Sequence, residues 1–312
     1  MHYSLDDLNG IRNSVITTGT FDGVHIGHKT IIERLKKLAE DINGETVLIT
    51  FHPHPRRVLY PDTEGKDLLM ILSQKEKIDL LRRTGLDHLI ILNFTKEFSK
   101  ISSHDFVQQI LVKLLNVKIV VVGFNHHFGH NREGNFEYLY QLSKEHGFDV
   151  EEIPEQDIQN ESVSSTKIRK ALLEGNIQRA NAYLDHYYII KGNLQYNCKI
   201  SSSLKIPIYS IEIEENVKLL PPDGLYAVSV EDGELYSKGM LIITDWEVVN
   251  NVLSPDIRIE LSLFNEDIIL NHKDEVTIYF HKKMREILKN TDLNLLSNQL
   301  KKDRRDIEEM IF

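Results

Sequence analysis

Two histidines three residues apart, His25 and His28, stand in a glycine-rich stretch that reads GTFDGVHIGH at residues 19–28. An imidazole donates a hydrogen bond to a phosphate oxygen and carries positive charge when a phosphate raises its pKa. The glycines allow a tight turn and a close approach to a bound group. The alternative is that both histidines only cap a surface turn, but the glycines and the amphipathic helix pattern that follows favour a nucleotide site. Such a site would stabilise a transferring phosphoryl group by positioning and electrostatics.

A second candidate phosphate site reads SSTKIR at residues 164–169. Ser164 or Ser165 can cap a helix that starts here, and the free amides of that helix favour an anion. Arg169 adds a guanidinium, which pairs well with phosphate. Taken alone, the stretch fits a plain helix cap with a solvated arginine equally well. Combined with the histidine stretch, it favours two halves of one phosphate site.

Alternating strands and helices position these two stretches. A short apolar strand with Val15 and Ile16 precedes the histidines, and apolar residues at helical spacing follow in residues 29–42. The turn therefore lies at the carboxyl end of a first strand, where open α/β sheets place their ligands. Further strands are predicted at 46–51, 88–94, 118–123 and 148–152, and further helices at 73–83, 104–115, 135–146, 164–175 and 176–184. This alternation predicts a doubly wound parallel sheet with helices on both faces.

The pattern changes from about Tyr187 onwards. Short runs typical of strands recur between turn residues, of which residues 221–224 and 231–234 are the clearest. A final helix is predicted to bury Leu293, Leu296, Leu300 and Ile307. The sequence thus predicts an α/β domain at residues 1–185 and, at residues 186–312, a small antiparallel β-barrel with a C-terminal helix.

Composition limits the classes of function. The chain of 312 residues is 41% hydrophobic and 27% charged, and it carries a formal net charge of −10. The acidic balance argues against broad nucleic-acid binding, which needs a basic surface. No apolar run has the length of a membrane span, and residues 1–12 do not resemble a signal peptide, so we expect a cytoplasmic protein without a membrane partner. The single cysteine, Cys198, excludes an internal disulfide and a cysteine-based zinc site.

Four motifs in order resemble those of the prokaryotic bifunctional riboflavin kinase/FAD synthetase family. The stretch at 19–28 is similar to its HxGH nucleotidyltransferase signature, and TFHPHP at 50–55 is similar to its TFxPHP motif. The loop GFNHHFG at 123–129 resembles its GxDFxFG loop, and SSTKIR at 164–169 resembles its SSTxIR signature. The resemblance extends over almost the whole chain and implies a nucleotidyltransferase domain followed by a kinase-like barrel.

That resemblance implies transfer of AMP from ATP to FMN, giving FAD and pyrophosphate, with Mg²⁺ offsetting the charge of the phosphates. His25, His28 and Arg169 would be the catalytic groups. The residues implied to bind ATP are Gly19, Phe21, Gly27, Asn125, Ser164, Ser165 and Thr166. Those implied to bind FMN are Phe51, His52, Pro53, His54 and Pro55. Asn125 stands where the family often has an acidic residue, and an amide can still donate and accept hydrogen bonds.

The barrel departs from the resemblance at its active-site motif. PPDGLYAV at 221–228 and IELSLF at 259–264 resemble the framework of the riboflavin kinase, and the second of these includes Glu260, the candidate base. The position of the family's Pro-Thr-Ala-Asn motif reads PIYS at 207–210 instead. Ile208 offers no oxygen to a magnesium–ATP complex. We therefore expect a barrel that no longer phosphorylates riboflavin and serves as a structural, flavin-binding or partner-binding module.

Several alternatives stay open at this stage. The chain fits an enzyme that carries out both reactions, a non-catalytic flavin- or nucleotide-binding regulator, or a nucleotidyltransferase for another phosphorylated acceptor. The remaining histidines of the motifs fit packing or surface roles. A histidine metal site has neither a cysteine nor a helical His-x-x-x-His pair in its favour, and no residue is predicted to bind a metal.

Overall fold

A computed structural model describes residues 1–3, 5, 8, 10–124, 126–158, 161–197, 201, 206–233, 235–244, 247–249, 252–254, 258–265, 275–287 and 293–310. The chain divides into two compact units, Met1–Ser165 and Thr166–Phe312. The predicted functional boundary at residue 185 stays a prediction.

The first unit contains a five-stranded parallel sheet. Its strands are β1 (Ser14–Thr18), β2 (Thr46–His52), β3 (His88–Asn93), β4 (Val117–Gly123) and β5 (Asp149–Ile153). The order across the sheet is β3-β2-β1-β4-β5. The chain moves outward in one direction from β1 to β3 and then returns to the other side of β1 for β4. This reversal between β1 and β4 is the switch point at which doubly wound sheets bind ligands.

Helices cover both faces of this sheet, as predicted. They are α1 (Ile26–Asp41), α2 (Pro55–Leu59), α3 (Gln74–Arg83), α4 (Ser103–Asp105), which continues as a π-helix (Phe106–Leu114), and α5 (Phe136–His146). Ile31 and Leu35 of α1 pack with Val15 and Val121 on one face. The π-helix and α5 pack on the other face against a core that includes Ile16.

Local chemistry explains where these helices begin. Ser73 caps α3 by accepting a hydrogen bond from the amide of Glu76, whose carboxylate accepts one from the amide of Ser73. This is the capping box that the sequence predicts. The Asn135 side chain caps α5 by accepting a hydrogen bond from the amide of Tyr138. The first helix begins at Ile26, next to its predicted start near Gly27, so His28 lies within its first turn.

The second unit contains a closed antiparallel barrel, and the predicted fold class is confirmed. Two helices precede the barrel, α6 (Ser165–Leu173) and α7 (Ile177–Leu184). The barrel strands are β8 (Tyr188–Tyr196), β9 (Tyr209–Glu212), β10 (Gly224–Asp232), β11 (Leu235–Thr244), β14 (Arg258–Leu263) and β15 (Glu275–Arg285). They follow one another around the barrel in the order β10-β11-β14-β9-β8-β15.

Smaller strand pairs and a last helix complete the described elements. The pairs are β6 (Asp157–Ile158) with β7 (Glu161–Ser162), and β12 (Glu247–Val249) with β13 (Val252–Ser254). The last helix is α8 (Leu293–Met310). Leu300 and Ile307 are buried as predicted, whereas the side chains of Leu293 and Leu296 lie outside the described residues. Gly175 follows the end of α6 and adopts the left-handed conformation (φ +71°) common to a glycine at that place.

Candidate active site

The glycine-rich turn joins the buried central strand β1 to α1. Gly23 has φ +89°, a conformation that only glycine adopts without strain. Gly19 and Gly27 serve another purpose, because an added side-chain carbon would lie 3.1 Å from the Phe21 ring in the first case and 3.3 Å from the His25 ring in the second. The two glycines thus leave room for the aromatic side chains that shape the turn.

The two histidines of the turn stack on each other. Their ring centroids lie 3.6 Å apart at an interplanar angle of 20°. The Phe21 ring lies 4.6 Å from the His28 ring, and Phe21 is buried. Burial lowers the pKa of His28 well below its ordinary value, and the nearby His25 and Lys77 lower it further. His28 is therefore neutral at pH 7, and its Nδ1 atom is shielded from solvent without a hydrogen-bond partner among the residues the structure describes.

A buried lysine that the sequence did not single out joins the ends of two strands. Lys77 of α3 is 7% exposed, and its Nζ atom donates to the carbonyl oxygen of Thr20 (3.4 Å), the hydroxyl of Thr50 (3.3 Å) and the carbonyl oxygen of Phe51 (3.4 Å). Thr50 in turn donates to the carbonyl oxygen of Thr20. Lys77 thus ties the histidine turn to the TFHPHP motif. In the sequence, the only indication of this role is that Lys77 is a charged residue on the apolar side of a predicted helix.

Asp22 holds the histidine turn in place through hydrogen bonds to other parts of the chain. Its carboxylate is buried and accepts hydrogen bonds from the backbone amides of Ile71 and Leu72, each at 3.2 Å. The backbone oxygen of Asp22 also accepts a hydrogen bond from the Ser165 hydroxyl at 3.0 Å. Ser165 of the SSTKIR motif therefore contacts the histidine turn. Both oxygens of the Asp22 carboxylate are engaged by the protein backbone.

The other predicted residues of the SSTKIR motif follow directly in the chain. Ser164 precedes α6, and Thr166 and Arg169 lie on α6 within the second compact unit. Thr166 is exposed and Arg169 is partly buried. Their assignment to the phosphate site stays a prediction.

The loop after β4 approaches the end of β1 across the switch point. The His126 Nε2 atom lies 3.4 Å from the Thr18 hydroxyl. Burial, together with the charges of His127 and Arg132, lowers the pKa of His126 to about 4. Phe124 beside it exposes 53% of its surface, and Asn125, predicted to bind ATP, lies outside the described residues. Sequence spacing gave no indication that His126 would reach β1.

The TFHPHP motif ends β2 and begins α2. The peptide bond between His52 and Pro53 is cis, and the His54 ring accepts a hydrogen bond from the amide of Arg56 to cap α2. Pro55 occupies the first turn of α2, where the missing N–H costs nothing. His52 and Pro53 are exposed. The motif thus presents an exposed, rigid turn at the carboxyl edge of the sheet.

Phe51 belongs to a cluster of three phenylalanines, and the sequence did not single out the other two. Its ring centroid lies 5.6 Å from that of Phe94 and 6.0 Å from that of Phe98, and the latter two lie 5.6 Å apart. All three are partly buried. Phe94 and Phe98 follow β3, the neighbour of β2 at the sheet edge. The cluster therefore offers an apolar aromatic surface beside the exposed turn.

The barrel residues singled out in the sequence occupy neighbouring strands. Glu260 of β14 pairs with Ser210 of β9. Burial raises the pKa of Glu260, and the nearby Arg258 opposes this effect. Ile208 is buried, and its amide donates to the Ser201 hydroxyl at 2.9 Å. The side chain at the position of the motif's threonine therefore packs as a core residue.

Two family sequence profiles match this chain. That of FAD synthetase matches residues 9–167, and that of riboflavin kinase matches residues 184–311. The fold and the matched profiles define a nucleotidyltransferase-type α/β unit followed by a riboflavin-kinase-like barrel. The chain belongs to the family of bifunctional riboflavin kinase/FMN adenylyltransferases, and the family predicted from the motifs is confirmed.

Relatives and a solved structure match along most of the chain. The bifunctional riboflavin kinase/FMN adenylyltransferase of Bacillus subtilis is 32% identical over 300 residues, which cover 94% of this chain and 91% of the relative. The enzyme of that name from Buchnera aphidicola subsp. Schizaphis graminum is 31% identical over 294 residues and covers 93% of this chain and 92% of the relative. The crystal structure of a macrolide-efflux protein from Streptococcus pneumoniae is 26% identical with a TM-score of 0.85, covering 97% of this chain and 96% of that one.

Two further predictions bear on these comparisons. The predicted loss of riboflavin kinase activity is not confirmed, because the riboflavin kinase profile and the bifunctional relatives both extend through the barrel. Among the described residues, no helix combines the length and the apolar character that crossing a membrane requires.

Proposed function

We propose that the first unit transfers AMP from ATP to FMN. An oxygen of the FMN phosphate attacks the α-phosphorus of ATP, the bond from that phosphorus to the β-phosphate bridge breaks, and pyrophosphate leaves with FAD as the other product. The observation that carries this proposal is the stacked pair of His25 and His28 at the start of α1, beside the carboxyl end of the central strand. Such a place favours a polyanion, because the helix start offers free amides and the imidazoles can donate hydrogen bonds.

The histidine pair acts on the phosphates of ATP. His28 is neutral in the free protein, so it offers an N–H donor without a charge that must be desolvated first. A bound triphosphate adds negative charge next to the ring and favours its protonation, which would stabilise the charge that develops in the transition state. Arg169 and the hydroxyls of Ser164, Ser165 and Thr166 would hold the triphosphate from the second motif. Gly19, Phe21 and Gly27 would shape the turn, and Asn125 would bind from the loop after β4.

FMN would bind at the edge formed by β2 and β3. The flat isoalloxazine would fit the turn of His52, Pro53, His54 and Pro55, with Phe51 and its two phenylalanine neighbours behind it. An aromatic surface attracts a flat ring system through area burial and offset stacking. The phosphate of FMN would then point toward the histidine turn. In-line transfer requires this arrangement of two polyanions held close together.

Mg²⁺ would enter with ATP as part of the substrate. The backbone amides already engage both carboxylate oxygens of Asp22, the acidic residue of the turn. The ion would therefore be held mainly by phosphate oxygens and water, which is common for magnesium in nucleotide sites. Its contribution would be to offset the repulsion between the two phosphate groups.

A second candidate activity is phosphorylation of riboflavin by the barrel. The similarity to bifunctional relatives over more than 90% of both chains favours it. Glu260, whose raised pKa suits a general base, lies opposite Ser210 next to the altered motif. Against this activity stands Ile208, a buried hydrocarbon side chain that offers nothing to a magnesium–ATP complex. The loss of kinase activity therefore remains a proposal, and it runs against the names of the relatives, which are bifunctional enzymes.

One experiment tests both activities. The purified chain is incubated with Mg²⁺–ATP and either FMN or riboflavin, and the flavins are separated by chromatography. FAD and pyrophosphate formed from FMN support the first activity, and a failure to turn over FMN contradicts it. FMN formed from riboflavin at a catalytic rate shows an active barrel, and in that case Glu260→Gln should abolish FMN formation while leaving FAD formation from FMN intact. Replacing FMN with a phosphorylated acceptor that lacks the flavin ring tests selectivity for the flavin.

A further inference from the structure

Three potential metal ligands meet where two helices of the first unit approach each other. His104 is the second residue of α4, and Glu145 and His146 are the last two residues of α5. One ligand atom from each of the three side chains lies within 4.8 Å of the other two. The two imidazole ring centroids are 6.2 Å apart. Both histidines are partly buried, and Glu145 is exposed.

This donor set suits a first-row divalent cation. Two imidazole nitrogens and one carboxylate oxygen are a common set of protein ligands for Zn²⁺, with water in the fourth position. Zinc holds such atoms at about 2.0–2.2 Å, which places them roughly 3.3–3.6 Å from one another in a tetrahedron. The three ligand atoms lie within 4.8 Å of one another, which exceeds the tetrahedral separation by little more than 1 Å at most. Small side-chain rotations would therefore bring them around an ion.

Two neighbouring features support the assignment independently. The Nε2 atom of His146 is shielded from solvent and has no hydrogen-bond partner in the described part of the chain. A buried polar atom in that state is costly unless a ligand satisfies it. The Asp105 carboxylate lies 3.8 Å from the Nδ1 atom of His104 and is held by the Ser102 hydroxyl at 2.8 Å. At this separation the carboxylate is an electrostatic neighbour of the imidazole and not its hydrogen-bond partner; a carboxylate that does hydrogen-bond such a ring orients it toward a metal.

We propose that His104, Glu145 and His146 bind a Zn²⁺-class divalent cation that links the start of α4 to the end of α5. The site lies at the carboxyl end of α5, where the negative end of the helix dipole favours a cation. The site is separate from the histidine turn, which belongs to β1 and α1. Binding would stabilise the folded state, because the unfolded chain does not hold the three ligands together.

Equilibrium binding measures the site directly. The protein is stripped with a chelator and dialysed, and Zn²⁺ is titrated against a competing chromophoric chelator. The chain has 14 histidines, so the matched control is His186→Gln, which alters a partly buried histidine of the second unit. We expect one tight site per chain in the wild type and in this control. His104→Gln and His146→Gln should weaken zinc binding by roughly 10²-fold or more, since even the loss of a group that only hydrogen-bonds to a metal ligand costs about 10–100-fold in affinity.

Two further measurements distinguish loss of a zinc ligand from loss of folding and locate the ion. Thermal unfolding without zinc must be similar in all variants, and added zinc should raise the Tm of the wild type and of His186→Gln only. Co²⁺ in place of Zn²⁺ should give the intense visible absorption of a four-coordinate site, lost in His146→Gln and retained in His28→Ala. Zinc bound equally well by wild type and the His104 and His146 variants, or no tight zinc in the wild type, would overturn the proposal. Loss of metal binding in His28→Ala would show that the ion binds at the histidine turn, and this result would also overturn the proposal.

Discussion

The rings of His25 and His28 stack with their centroids 3.6 Å apart, and His25 adds to the effect of burial in lowering the pKa of His28. Two imidazolium ions could not stay this close without strong repulsion, and burial further disfavours the charged form of His28. His28 therefore enters the reaction as a neutral donor. A bound polyanion would favour the protonated form of His28.

Replacement of His28 by alanine removes one positioned donor from the phosphates. We expect His28→Ala to lower kcat/KM for FAD formation from FMN by roughly 10²-fold or more, by analogy with the removal of one preorganised donor to a transition state. Flavin chromatography under Mg²⁺–ATP gives the rate. His186→Ala is the matched histidine control and should keep the wild-type rate. A His28→Ala rate within twofold of wild type would place the chemistry elsewhere.

The lowered pKa values of His28 and His126 make stability depend on pH. Both histidines bind protons more weakly in the folded chain than in the unfolded chain, so the unfolded state gains protons first as the pH falls below about 6.5. Stability contributed by His126 is complete above that pH and is lost progressively between about 6.5 and about 4. Urea unfolding from pH 4 to 7.5 should show this decline, and His126→Asn should flatten it. An unchanged slope in the variant would contradict the assignment.

Lys77 is expected to position the histidine turn, since its Nζ atom contacts the ends of both β1 and β2. Lys77→Met should reduce kcat by about tenfold or more, because a shift near 1 Å in such a site can cost ~10²-fold. The exposed Lys75→Met on the same helix is the control. Removal of the Lys77 charge should also raise the pKa of His28, which NMR titration of the imidazole measures. A lower rate with an unchanged His28 pKa would indicate general destabilisation instead.

The phenylalanine cluster is expected to serve FMN and not ATP. Phe94→Ala should raise KM for FMN several-fold, because a stacking partner adds about 0.5–1.5 kcal/mol beyond its buried area. KM for ATP should stay unchanged, and Phe94→Tyr, which keeps the ring, should restore flavin affinity. Steady-state kinetics with each substrate varied in turn separates the two effects. Equal increases in both KM values would rule out a flavin-specific role.

Local patterns in the sequence predicted most of the fold. Apolar periodicity gave each strand of the parallel sheet to within a few residues, and the capping box of Ser73 and Glu76 fixed the start of α3. The glycine-rich turn was equally predictable, since its histidines and glycines are neighbours in the chain. Family motifs then gave the order of the two units. These features are local, so a single stretch of sequence contains all the information that they need.

Only the tertiary structure revealed the residues that reach these places from far along the chain. Periodicity tells which side of a helix Lys77 occupies, but the buried oxygens that it contacts lie 26 to 57 residues earlier. His126 meets Thr18 because the sheet order places β4 directly beside β1. His104 and His146 approach each other only through the packing of two helices on one face of that sheet. Sequence alone determined the elements and the local turn, whereas the strand order and helix packing decided which distant side chains share a site.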